Sequence, residues 1–221
     1  MTVDDCYRIL RLITRKNKLG SLNPQDFQDA FNTAQRNYYD LLVGRIEQYR
    51  YDKAVPRIGL SMTDNVVSRL TPFLYSSTVT VTSGVATKPT GFNKLVGMYT
   101  PNNWRVYRVE EDRFAERIQD SIDPVDEYNA FFVEENGSWN IYPTNLASIT
   151  VKYLKVPTPI VWGYTLDGSG RPVYNSGTSV QPVWYDNDID EILGRAAKII
   201  GVSIKEPVLQ QFGQSVINTG E

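Results

Sequence analysis

Histidine is absent from all 221 residues, and cysteine occurs once, as Cys6. The first absence excludes Ser-His-Asp and Cys-His catalysis and every His-ligated metal site. The second excludes an intrachain disulfide and any CxxC motif, and a lone cysteine fits a reducing cytoplasm. Charge of either sign is scarcely in excess: 23 Lys and Arg against 25 Asp and Glu leave −2, without the basic surplus of a dedicated nucleic-acid binder. No apolar run approaches the ~20 residues of a membrane span; the densest, 159–166, is far shorter. Met1-Thr2-Val3-Asp4-Asp5 carries acids where a secretion signal carries positive charge, so a protein soluble where it is made is expected, with no membrane partner. What is present is ordinary globular material, 41% apolar and 12% aromatic, enough for a core of one or two domains.

The first fifty residues read as two helices. Thr2 is placed to cap the first, with Asp5 three positions on, and Tyr7, Ile9, Leu10, Leu12 and Ile13 supply an apolar stripe. Arg15, Lys16 and Lys18 suit its last turn, and Gly20 its end. Asn23-Pro24 starts the second, whose apolar face runs through Phe27, Ala30, Phe31, Ala34, Tyr38, Leu41, Leu42 and Ile46. The two are expected to form a helical hairpin. From Val55-Pro56 onward most of the prolines and glycines appear, between short β-branched and aromatic runs. Strands are expected at 78–82, 94–99, 104–108, 130–134, 139–142, 148–154 and 160–164, the spacing of an antiparallel sandwich or barrel. Glu135-Asn136-Gly137-Ser138 is a hairpin turn, and Asp167-Gly168-Ser169-Gly170 marks a second. Short helices are expected at 63–70 and 110–120. Helix returns near Asp188, read as its cap with Glu191 at the third helical position, and closes at Gly201. Pro207 then opens an amphipathic segment carrying Val208, Leu209, Phe212, Val216 and Ile217. The expected fold is α+β: a helical bundle from residues 1–55 and 185–221, with an antiparallel β domain, 56–184, inserted as one piece.

Constellations that could carry chemistry do not complete themselves. Asp186, Asp188 and Asp190 open like a calcium loop, but Glu191 and Ala197 stand where its Gly and final carboxylate belong; helix capping accounts for these acids. Glu110, Glu111, Asp112 and Glu116 suit a helix N-terminus better than a glycosidase carboxylate pair. Asn136-Gly137-Ser138 is formally a glycosylation sequon and Gly168-Ser169-Gly170 lacks the rest of a phosphate loop. No catalytic, cofactor or metal residues are assigned, and no enzyme is expected. Residues 1–60 carry +3 and residues 121–221 carry −6, a polarity that suits head-to-tail association of identical copies or is chance scatter. The 14 Tyr, 8 Phe and 4 Trp are plentiful enough to build sticky surfaces; a β-rich middle needs some as core, and Tyr and Trp beyond that need belong at interfaces.

Two stretches are familiar. Trp139-Asn140-Ile141-Tyr142-Pro143-Thr144 followed by Ile149-Thr150-Val151-Lys152-Tyr153-Leu154-Lys155-Val156-Pro157 resembles a segment of the head-to-tail connector ring proteins of tailed phages. This is the family of the tail tubular protein A and of the crAss-like phage ring proteins. The ending is similar too: Trp184, Asp190-Glu191-Ile192-Leu193, Ala196-Ala197, Ile200 to Ile204, Lys205-Glu206-Pro207 and Leu209 to Phe212. The likeness covers about the last half of the chain. It implies a structural virion protein at the head–tail junction, assembled in the bacterial host cytoplasm. The expected assembly is a dodecameric ring of identical copies below the portal protein, extending and sealing the DNA channel and docking further tail or ring proteins. DNA would pass transiently and non-specifically, and a weakly acidic wall suits passage better than tight phosphate binding. Chain ends in such proteins reach neighbouring subunits, which makes Val208, Leu209, Phe212, Val216 and Ile217 the expected subunit or portal interface. The competing reading is a monomeric β-rich binding module of carbohydrate-binding type, with Trp and Tyr platforms.

Overall fold

The computed structural model describes residues 1–16, 22–51, 66–203, 211, 213–215 and 217. The chain divides into two compact units, Met1–Pro72 with Pro157–Glu221, and Phe73–Val156. The fold is mixed: helices dominate the first unit, and a seven-stranded sheet is the second.

In the first unit, helix α1 (Val3–Lys16) and helix α2 (Pro24–Tyr51) start where their caps require. Thr2 and Asp5 bond reciprocally: the Thr2 backbone N–H donates to Asp5 Oδ2 at 3.1 Å and the Asp5 N–H to Thr2 Oγ1 at 3.2 Å. The Gln25 N–H donates to Asn23 Oδ1 at 3.2 Å. The buried face of α1 is Val3, Cys6, Tyr7, Leu10 and Thr14. Ile9 and Leu12, expected in the apolar stripe, are exposed instead. The period explains this, since Leu12 falls on the side of the helix opposite Val3, Leu10 and Thr14. Thr14 takes the inward place because its hydroxyl donates to the Leu10 and Arg11 carbonyls, each at 3.0 Å. Helix α2 buries Phe27, Ala30, Phe31, Ala34, Tyr38, Tyr39 and Leu42. Residues 66–70 are helical. The stop at Gly20 lies outside the described residues.

Residues 157–184 belong to this helical unit, so the sheet unit ends at Val156 rather than at 184. Their backbone is satisfied by helix side chains. Asn32 grips one residue from both sides, Nδ2 donating to the Ile160 carbonyl at 3.2 Å and Oδ1 accepting from the Ile160 N–H at 2.8 Å. Gln35 Nε2 donates to the Thr158 carbonyl at 3.2 Å. Trp162 Nε1 donates to Asp4 Oδ1 at 3.0 Å. The expected strand at 160–164 is therefore reduced to one bridge, Val161 with Val180, and to Tyr164, which opens a short strand of its own. The hairpin turn at Asp167 is present: Asp167 Oδ1 accepts from the Ser169 and Arg171 N–H groups, each at 2.8 Å.

In the second unit nine-residue strand β1 (Leu74–Thr82) is central, and β2 (Val85–Thr87), β3 (Phe92–Tyr99), β4 (Tyr107–Arg108), β5 (Phe131–Glu135), β6 (Ser138–Tyr142) and β7 (Ser148–Lys155) complete the order β3-β7-β1-β2-β6-β5-β4. All neighbours are antiparallel except β4 and β5. The sheet is nearly closed. The Thr100 N–H donates to the Trp104 carbonyl and the Val106 N–H to the Met98 carbonyl, both at 2.8 Å, which ties the run into β4 back to the end of β3. Val81, Ala86, Met98, Val106, Phe132, Trp139, Ile141, Ile149, Val151 and Tyr153 fill the inside, one residue in two along β6 and β7. The Asn136-Gly137 turn has φ of 47° and 76°, the left-handed pair a type I′ hairpin demands. Between β4 and β5 the chain makes a long excursion, which includes helix α3 (Phe114–Ile118).

The helix expected from Asp188 begins earlier, as α4 (Asp186–Ser203). The Asp188 and Ile189 N–H groups both donate to the Tyr185 carbonyl at 3.0 Å, so Asp188 sits inside the first turn and is no cap. Gly201 does not close the helix, which runs on to Ser203. Two strands of the first unit, β8 (Tyr164–Leu166) and β9 (Pro172–Tyr174), pair only with each other.

Candidate functional site

The densest polar cluster joins α2, the helical residues 66–70 and α4. Tyr38 donates its hydroxyl hydrogen to Asp188 Oδ1 at 2.9 Å and accepts from Arg69 Nη1 at 2.7 Å. Arg69 Nη1 lies 3.6 Å from Asp188 and 3.8 Å from Glu191. Glu191 is not a helix-capping residue: its Oε1 accepts from Arg195 Nη2 at 2.7 Å. The Arg195 guanidinium lies 5.4 Å from the centre of the Tyr38 ring, and the Trp184 and Tyr38 ring centroids are 5.2 Å apart. Asp188 is only 3% exposed. Its burial raises its carboxyl above the ordinary value, against the pull of the Tyr38 hydrogen bond and the Arg69 charge. Burial first, then the charges of Asp188 and Glu191, drive the Tyr38 phenol well up. These shifts describe groups locked together. Two carboxylates are matched by two guanidiniums, and the one hydroxyl is used as both donor and acceptor. The cluster therefore ties α2 to α4 and holds no poised acid or base. Sequence reasoning missed it because Asp188 and Tyr38 are 150 residues apart.

Among the described residues no group of three or more Cys, Asp or Glu side chains could hold a metal ion. Glu110, Glu111, Asp112 and Glu116 are all exposed. Of the expected interface residues, Val208, Leu209, Phe212 and Val216 lie outside the described residues. Ile217 is half-buried and shares a cleft of about 330 Å³ with Asn37, Arg195, Lys198 and Ile199. Beside it Lys198 Nζ donates to Gln214 Oε1 at 2.6 Å, so this part of the segment rests on α4 of its own chain.

What remains is surface, and it is rich in apolar side chains. On α1, exposed Ile9 and Leu12 line an open cleft of about 740 Å³ with Met1, Asp5, Arg8, Arg11 and Asp186. On the β8–β9 hairpin, Tyr164, Leu166 and Val173 are exposed. In the sheet unit Trp104, Tyr107, Ile118, Ile122 and Tyr128 are exposed. Three of the four tryptophans, Trp139, Trp162 and Trp184, are buried. The exposed one, Trp104, meets Tyr128 edge-on at 69°, which does not make the flat platform that stacks a sugar. No helix among the described residues is long and apolar enough to cross a membrane. No protein-family model matches the chain, and no curated protein is detectably similar to it.

Proposed function

We propose that this chain is a structural protein of a tailed-phage virion, which assembles head to tail into a ring at the head–tail junction. It extends and seals the DNA channel below the portal and docks the next tail component. The role is mechanical, not catalytic. One observation carries the reading: large apolar side chains stand in water on both units, while the buried carboxylates Asp188 and Glu191 are committed to Arg69 and Arg195. Exposed apolar patches of this kind mark interaction surfaces, and a heterologous contact that closes makes a ring. The residues behind the phage-connector resemblance support it indirectly, since Trp139, Ile141, Ile149, Val151 and Tyr153 are the inner face of the sheet.

In this reading α1, α2, α4 and the C-terminal segment act as one bundle, supported by the Tyr38–Asp188 and Trp184–Gln35 contacts between α2 and the α4 region. Val208, Leu209, Phe212, Val216 and Ile217 reach a neighbouring subunit or the portal, and Ile217 is only half-buried on its own chain. Light scattering on the purified chain, with negative-stain micrographs, tests the proposal. Rings of uniform size are expected, and deletion of residues 207–221 should leave a folded protein that no longer assembles with the portal. A chain that stays monomeric at all concentrations, alone and with portal protein, refutes it and favours the binding module.

A further inference from the structure

The apolar cleft on α1 is lined by more cationic than anionic groups, the Met1 amino group, Arg8 and Arg11 against Asp5 and Asp186. Of its acids, Asp5 is held by Thr2 and Asp186 by the amino group of Met1. Its arginines, Arg8 and Arg11, form no salt bridge among the described residues. Arg11 Nε is out of contact with solvent and has no hydrogen-bond partner there. Ile9, Leu12 and two guanidiniums without a salt bridge among the described residues, of which Arg8 also feels the Asp5 carboxylate, thus suit an acidic segment with apolar knobs.

The chain carries such a segment between β4 and β5, and its backbone is held by side-chain hydrogen bonds. Between β4 and β5, residues 110–123 contain six acids and two arginines, a balance of −4. Phe114 anchors the base of the excursion, 5.1 Å from the Tyr142 ring and 6.2 Å from Phe131. Arg117 donates to the Asp123 and Asn129 carbonyls at 2.5 and 3.2 Å, and pairs with the Asp123 carboxylate at 3.2 Å. Asp120 Oδ1 accepts from the Ile122 N–H at 2.9 Å. With its one half-buried arginine so committed, the arm presents exposed Glu110, Glu111, Asp112 and Glu116. Beside them stand Ile118 and Ile122, the latter 94% exposed. A β-branched apolar side chain held almost wholly in water by an ordered backbone is the mark of a surface awaiting a partner. The β8–β9 hairpin also exposes apolar residues, but its turn carries one Asp and one Arg and so offers no complementary charge.

We propose that the acidic arm, residues 110–123, of one copy docks on the α1 cleft of a second copy, with Ile118 and Ile122 over Ile9 and Leu12 and the arm's glutamates facing Arg8 and Arg11. The two surfaces differ, so the contact is heterologous, and each copy keeps one of each to pass the association on. This inference rests on the reading of the chain as a self-assembling structural protein and names the surfaces that assemble.

Cysteine trapping tests it on the full chain. Leu12→Cys and Ile122→Cys are made separately in a Cys6→Ser background, mixed, and oxidised with copper phenanthroline. A disulfide joining one chain of each kind can form only between copies. The expected result is a mixed dimer on a non-reducing gel, well above the homodimers of either variant alone. It should fall at least tenfold when Arg8→Glu and Arg11→Glu are added to the first chain, and recover when Glu111→Arg and Glu116→Arg are added to the second. Circular dichroism checks that each variant is folded. If light scattering shows assembly while no mixed disulfide forms, the arm–cleft contact is wrong and the assembly reading stands. If the chain is monomeric and no mixed disulfide forms, both are wrong.

Discussion

Replacing Tyr38 by Phe removes a single oxygen and tests whether the buried cluster is a structural tie. That oxygen makes two hydrogen bonds, to Asp188 at 2.9 Å and from Arg69 at 2.7 Å. Each involves an ionised partner, for which about 1.5–3 kcal/mol is usual. The sum overstates the loss, because Arg69 is partly exposed and already lies 3.6 Å from Asp188. It can re-solvate or turn to the carboxylate. A net loss of about 2–4 kcal/mol at pH 7 follows. At an m-value of ~2 kcal/mol/M the urea midpoint then falls by about 1–2 M. Trp184, 5.2 Å from the Tyr38 ring, is a local fluorescence reporter. The loss should depend on pH, with a definite sign. Asp188's folded carboxyl value is raised, so the fold binds that proton more tightly than the unfolded chain does. Its ionisation therefore costs stability as pH rises from the ordinary carboxylate value through the raised one. Without the Tyr38 donor the folded value rises further, so the variant should lose more at pH 7 than at pH 4, since the missing donor matters less as protons bind Asp188. A loss below about 0.5 kcal/mol at pH 7, or an equal loss at both pH values, would refute the reasoning.

Leu42→Ala and Ile192→Ala, both fully buried, should each cost about 2–5 kcal/mol in chemical denaturation; near-neutral values would mean that the inward faces of α2 and α4 are misassigned. The Cys6 thiol is buried and its pKa is pushed up to about 12, chiefly by desolvation. It should resist a thiol-specific chromogenic disulfide at pH 8 in the folded chain and react fully in urea, and fast labelling of the native protein would contradict the packing of α1. Gly84→Ala should destabilise the sheet unit by about 1–3 kcal/mol, because Gly84 has a φ of +82° and an added Cβ would lie 2.8 Å from Thr144 Cγ2; an unchanged melting temperature would argue against that turn.

Local chemistry was the part of this fold that could be read in advance. Asn136-Gly137, Asp167, Thr2 with Asp5, and Asn23 each act within four residues of themselves, and short-range rules suffice for such signals. Long-range partners were not readable. Ile160 to Tyr164 spells a strand, yet the Ile160 backbone is claimed by the Asn32 side chain, 128 residues away. Asp188 stands where caps stand, and only the folded chain brings Tyr38 to it. The three-residue strands β2 and β9 carry too few alternations to announce themselves. In the candidate interface, the acids of residues 110–116 were visible along the chain, though they read as a helix N-terminus. Which apolar residues stay in water was not: Leu12 reads as core by type and is 58% exposed by helical phase.

The sheet unit enters and leaves through strands that are hydrogen-bonded neighbours, Leu74 of β1 lying opposite Leu154 of β7. Paired antiparallel residues sit about 5 Å apart. To the helical unit the whole of Phe73–Val156 is therefore, in chain-closure terms, a short loop. Its length and internal design can drift, or be swapped for another sheet, at little entropic cost to the helical unit. During synthesis the same arrangement lets the middle of the chain finish folding as soon as it emerges, while α2 must wait for α4, which appears after the whole sheet unit, before the Tyr38–Asp188 tie can form.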